Sequence, residues 1–167
     1  MRPRRQPPLT LALAAALCAL AACGFHLRGA SHLPRVFDAT FLESADHYTD
    51  LHRALVDALR LGGARLVQRR ADAAAVVEVL SEDSGQRVLS VSARNTPTEY
   101  EVYYTVRYRV RIGERTALEP HALTLTRDYS YDETALLAKE QERDNLRTAL
   151  ARDLAALVMR RLAALPP

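Results

Sequence analysis

The sequence predicts an α+β fold: a small mixed β-sheet of about four strands with two helices packed on one face, in the order β-α-β-β-β-α. Three observations predict it. Residues 99–112 alternate strictly. Tyr100, Val102, Tyr104, Val106, Tyr108, Val110 and Ile112 interleave with Glu99, Glu101, Tyr103, Thr105, Arg107, Arg109 and Arg111. A period of two marks a strand with one apolar and one polar face. Leu51, Ala54, Leu55, Ala58 and Leu59 instead fall at the i, i+3, i+4, i+7, i+8 spacing of an amphipathic helix. A second helical stripe, Leu146, Leu150, Leu154, Leu157, Val158, Leu162 and Leu165, runs to the end of the chain.

In chain order, 36–43 reads as a first strand. The first helix follows over 48–61, with Asp46 as its expected N-cap and Gly62-Gly63 as its stop. Apolar pieces at 64–67 and 74–80 are strands. The first of them follows the helix directly, which predicts parallel pairing in a strand-helix-strand unit. Residues 87–93 extend this region past a turn or bulge near Ser84-Gly85, and Asn95-Thr96-Pro97 marks a loop. After the long strand, 113–120 reads as a connection and 122–131 as a last alternating strand. Asp132 then caps the terminal helix.

What precedes residue 36 is not core. Arg2, Arg4 and Arg5 lead into a nearly pure Leu/Ala run over 9–22. That run is about 14 residues, short of the ~20 a spanning helix needs. A basic start, a short apolar stretch and small residues before a cut describe an export signal. The cut falls before Cys23, after Leu20-Ala21-Ala22, in the manner of a bacterial lipobox, whose thiol accepts a diacylglyceryl group. Each buried methylene contributes roughly 0.8 kcal/mol, so several acyl chains anchor firmly where one does not. The expected organisation is a removed signal at 1–22, a lipidated tether at 23–35 and a single α+β domain at 36–167. Gly24, rather than Asp, follows the cysteine and favours the outer membrane.

Charge and cysteine content exclude several classes. The chain carries 23 basic and 20 acidic residues, and loss of the three signal arginines leaves twenty of each. No global basic field steers the mature chain to nucleic acid. Cys18 leaves with the signal and Cys23 takes the lipid, so neither of the two cysteines serves a disulfide, a metal or a nucleophile. The five histidines, His26, His32, His47, His52 and His121, form no metal-ligand spacing, and no phosphate-binding or nucleophile-elbow motif occurs. Asp46, His47 and Asp50 read as the surface start of a helix. Glu99 and Glu101 share a strand face with Arg107, Arg109 and Arg111 and read as a solvated charged ladder rather than a catalytic pair. The expectation is no enzyme, no metal and no cofactor.

Four segments carry a family likeness. Residues 23–28, CGFHLR, resemble the mature N-terminus of the LPS-assembly lipoprotein LptE family. Residues 55–63, LVDALRLGG, resemble that family's first helix and its end, and 94–100, RNTPTEY, and 138–142, AKEQE, follow in the same order. The resemblance implies an outer-membrane lipoprotein, anchored through Cys23, that plugs and helps assemble a large β-barrel, LptD, and contacts lipopolysaccharide on its way to the outer leaflet. Arg94 and Lys139 match basic positions of the family and are the expected lipopolysaccharide-binding residues. A guanidinium can hold a phosphate through two parallel hydrogen bonds, and Lys139 is the only lysine of the chain. The family's turn here often contains Asn-Gly, whereas in this chain Thr96-Pro97 follow Asn95. Arg107, Arg109 and Arg111 read first as the wet side of a half-buried strand and second as a contact to barrel or lipid phosphate. The alternative function is a free-standing outer-membrane lipoprotein that docks another periplasmic partner. The lipobox does not separate the two.

Overall fold

A computed structural model describes residues 33–131 and 135–166. The signal, Cys23, His26, His32 and the expected helix cap Asp132 lie outside the described residues. The elements are β1 (Ala39–Glu43), α1 (Asp50–Leu61), β2 (Arg65–Leu66), β3 (Ala75–Val91), β4 (Pro97–Ile112), β5 (Arg115–Ser130) and α2 (Leu136–Ala163). The fold is α+β as expected, with five strands rather than about four, in the order β2-β1-β3-β4-β5. β1 is parallel to both β2 and β3, and β3-β4-β5 form an antiparallel meander. The parallel strand-helix-strand unit is thus present.

The strand bounds differ for identifiable reasons. The expected first strand, 36–43, opens as a 3-10 turn at Arg35–Phe37, after Pro34, and seats Phe37 fully in the core. The pieces at 74–80 and 87–93 are one strand. Its bulge falls between Val79 and Ser81, not at Ser84-Gly85. That extra residue switches which side chains face the helices. Val77 lies opposite Val110 before the bulge, whereas Glu82, Ser84 and Gln86 lie opposite Val106, Tyr104 and Val102 after it. The stretch 113–120 is not a connection. Gly113 and Glu114 make a tight turn, and Pro120 sits in β5 where the register slips between Tyr108 and Val110. β5 is an edge strand, so the missing N–H costs no ladder bond.

The first helix starts at Asp50, capped by Thr49, whose Oγ1 accepts from His52 N at 3.0 Å. Asp46, the expected cap, instead accepts from Tyr48 N at 2.7 Å and shapes the approach. At the other end Ala64 N donates to Leu59 O and Gly63 N to Arg60 O, both at 3.0 Å, which is a Schellman stop. Gly63 carries φ +94 with open space around its Cβ position. Gly63→Ala should therefore cost about 1–2 kcal/mol through backbone strain alone. Urea unfolding of the pair of proteins would read it; equal midpoints would remove the strain argument.

Both helices lie on the face of β4 that carries Val102, Tyr104, Val106, Tyr108 and Val110, all buried. α1 contributes Leu51, Leu55 and Leu59, and α2 contributes Leu150, Ala151, Leu154, Ala155, Val158, Met159 and Leu162. Asp50 meets Arg147 and Thr148, while a Cβ on Gly62 would meet Met159, so the two helices run in the same direction. The core lies mostly in the half of the sheet that α1 spans, and Val102 and Tyr129 carry it a short way toward the β3–β4 turn. β3, β4 and β5 are 17, 16 and 16 residues long, roughly 50 Å at ~3.3 Å per residue. β1 reaches β3 only over Ala75 to Glu78. Beyond that, the long strands project with the first turns of α2 alone beside them.

Candidate functional site

The β3–β4 turn closes the projecting end. Asn95 N donates to Ser92 O at 2.9 Å, and Ser92 N to Thr96 O at 2.8 Å. Asn95 has φ 62 and takes the left-handed position, which leaves Thr96 and Pro97 free to enter β4 extended. Arg94 is therefore at the crest of the turn and exposed. Its guanidinium has no carboxylate partner among the described residues.

Lys139 is brought to the same end by the chain path. Tyr131 N donates to Thr98 O at 2.8 Å, so the chain leaves β5 beside the start of β4 and α2 begins there. Lys139 lies in the first turns of α2, its side chain largely covered, with its ammonium 2.9 Å from Glu142 Oε2. Arg94 and Lys139 make no hydrogen bond or ion pair with each other among the described residues. Around them the surface is partly apolar: Val91, Leu136 and Leu137 are all at least half exposed. Cations beside exposed aliphatic side chains suit an amphiphilic anion better than a free inorganic one.

The row Arg107, Arg109 and Arg111 lies on the sheet face away from the helices, as the alternation predicts. Arg109 pairs with Glu78, and Arg111 lies 3.5 Å from Glu114. Arg107 is exposed with no carboxylate partner among the described residues. Glu101 of the same row pairs with Arg87. Two of the three arginines thus serve intramolecular pairs, in keeping with the wet-face reading.

Sequence reasoning missed the centre of that row. Glu78 is 4% exposed on the polar face. Glu43 is its neighbour on β1 and Arg109 its neighbour on β4. Two adjacent carboxylates repel, and Arg70 resolves this by reaching Glu43 Oε2 at 2.5 Å and Glu78 Oε1 at 2.7 Å. Burial alone would raise the Glu78 carboxyl, but hydrogen bonds from Arg109 and Arg70 hold it below its usual range. The available signal was one acid inside the apolar run 75–80, facing an arginine row.

His47 and His52 are five apart, a poor helical pair, yet their rings stack at 4.7 Å because His47 precedes the helix. His52 Nδ1 lies 2.8 Å from Ser44 Oγ. Burial, and then the neighbouring His47, lower its pKa. No third ligand joins them: among the described residues no group of three His, Cys, Asp or Glu could hold a metal. No described helix is long and apolar enough to cross a membrane.

A protein-family model, LptE, lipopolysaccharide-assembly, matches residues 37–162. An LPS-assembly lipoprotein LptE of Pectobacterium atrosepticum is 31% identical over 156 residues, covering 92% of this chain and 83% of the relative. Among solved structures, the rare lipoprotein B of Shewanella oneidensis aligns with a TM-score of 0.67 at 25% identity, covering 75% of this chain and 94% of that one. An uncharacterized lipoprotein B of Nitrosomonas europaea aligns with a TM-score of 0.70 at 23% identity, covering 84% and 91%, and supports the fold. A match over most of the core and over both helices leaves one assignment: the chain belongs to the LptE family of lipopolysaccharide-assembly lipoproteins.

Proposed function

We propose that this chain is a lipid-anchored, non-enzymatic single domain of the outer membrane that occupies the lumen of an LptD-like β-barrel and contacts lipopolysaccharide through Arg94 and Lys139. The observation that carries the reading is the convergence of these two cations at one end of the molecule, beside Val91, Leu136 and Leu137. A barrel lumen is polar and wet. The sheet face away from the helices offers it a matching surface, with Thr105 and Thr124 joined at 2.9 Å and Arg107 exposed. Leu33 hydrogen-bonds to Gly62 O at 3.3 Å, at the end opposite Arg94. The cationic end lies away from Leu33 by about the length of β3 and β4. That length exceeds the ~30 Å hydrocarbon core.

Extraction of the tagged, lipidated protein in mild detergent, with mass spectrometry of what stays bound, tests the partner. A near-stoichiometric large β-barrel is the expected result. Recovery alone, or with soluble periplasmic proteins only, would favour the free-standing lipoprotein. Arg94→Ala combined with Lys139→Ala should weaken lipopolysaccharide binding about 10-fold with little change in melting temperature, since Arg94 is exposed and the Lys139–Glu142 pair within one helix turn contributes only about 0.5 kcal/mol. Unchanged affinity would remove both residues from the contact.

A further inference from the structure

The helix face that packs on the sheet changes character along α2. From Leu150 to Leu162 it is aliphatic and buried. In the preceding turns Arg143 and Arg147 reach over the sheet beside Ser84, Gln86 and Val102, and Lys139 lies one turn before them. Lys139, Arg143 and Arg147 stand at i, i+4 and i+8, a row of cations with a rise of about 6 Å between neighbours.

What lies opposite is a cleft of about 360 Å³ lined by Ser84, Gly85, Gln86, Val102, Arg143 and Arg147. The bulge in β3 creates its floor, because it turns Ser84 and Gln86 toward the helix side. Gln86 Oε1 accepts from the Tyr129 hydroxyl at 2.9 Å, which leaves the amide N–H groups as donors. Burial raises the pKa of that hydroxyl, and the nearby Arg143 opposes the rise. The lower end is closed where Glu82 binds Thr49 Oγ1 at 3.1 Å and Arg147 binds Asp50 at 3.1 Å. Among the described residues the side is open, because β1 leaves β3 after Glu78 and no described strand covers the edge beyond.

The geometry points to this cleft as a second subsite for the phosphate-bearing headgroup of the lipid that Lys139 and Arg94 contact, with Arg143 and Arg147 as its cations and the Gln86 amide as a neutral donor. The inference rests on the lipid contact proposed above. Among the described residues Arg143 is held only by Asp144, at 3.0 Å and on the surface, so a phosphate can take its place. Arg147 also anchors Asp50, so its loss would report folding as well as binding.

The test is a binding titration of the full mature protein in detergent, with purified lipopolysaccharide and with the same material dephosphorylated on its lipid moiety. Arg143→Gln should weaken binding of the phosphorylated form about 5-fold, the worth of one charge-assisted contact. Gln86→Glu, which places a carboxylate in the cleft, should do the same, and Arg152→Gln on the exposed helix face should do nothing. The dephosphorylated lipid should bind Arg143→Gln and the parent protein equally. Melting curves identify any variant that fails to fold. If both variants bind the phosphorylated lipid at parental affinity while the Arg94 and Lys139 double variant does not, the cleft is overturned and the tip contact stands. Equal losses for both lipids overturn the phosphate assignment. If the parent protein binds neither lipid, the contact itself falls and the cleft with it.

Discussion

Truncating Leu154 to alanine is expected to lower the free energy of unfolding by about 3–4 kcal/mol. Leu154 is fully buried at the middle of α2, between Leu150, Ala151, Ala155 and Val158, where the helix meets α1 and the sheet. The lost side chain removes transfer free energy and leaves a cavity that the surroundings fill poorly. β4 is tied by hydrogen bonds on both sides and cannot move in alone. In a small domain of marginal stability this is a large fraction of the total, and the midpoint of thermal unfolding should fall by about 10 °C. Leu137→Ala, at an 81% exposed position of the same helix, should leave the free energy of unfolding within about 0.5 kcal/mol of the parent. Calorimetry on the three proteins decides it. Similar midpoints for Leu154→Ala and the parent would mean that the α2 interface is not part of the cooperative core.

Replacing Glu78 with glutamine should cost about 2–3 kcal/mol at neutral pH. The carboxylate holds Arg70, on the turn before β3, together with Arg109 of β4; its loss leaves Arg109 without its acceptor and Arg70 with Glu43 alone. The cost stays below that of a fully buried pair because both arginines are more than one-third exposed and can turn to water. The pH dependence gives the prediction its sign. The folded pKa of Glu78 lies below its usual 4.5, so the stabilisation is fully present above that value and is lost as pH falls through the folded pKa. Urea unfolding at pH 7 should therefore separate Glu78→Gln from the parent clearly, and the gap should shrink steadily below pH 4.5. A gap that is constant with pH would assign the effect to packing and not to charge.

Much of this was legible in the residues. β4 was readable to within two residues because it is half-buried along its whole length, and half-burial forces strict alternation. α2 was readable because its stripe repeats for four turns. The stop at Gly62-Gly63 was readable because φ +94 at Gly63 needs a residue without Cβ. β3 was not readable as one strand: its bulge changes which residues face the core, so no single alternation runs through it. The turn at Gly113 was obscured by Pro120, which signals a loop in sequence but stands harmlessly at an edge-strand irregularity.

By itself, then, the sequence determined the α+β class and the family likeness, since each depends on order or local spacing, and it raised the expectation of an export signal ending at Cys23. Only the tertiary structure decided that Arg94 and Lys139 share one end, that Glu78 is buried among arginines, and that Arg143 and Arg147 look inward over a cleft. Those facts depend on register and on where one strand outruns its neighbour. Pairing between residues 31 apart, as for Glu78 and Arg109, leaves no periodic trace along the chain.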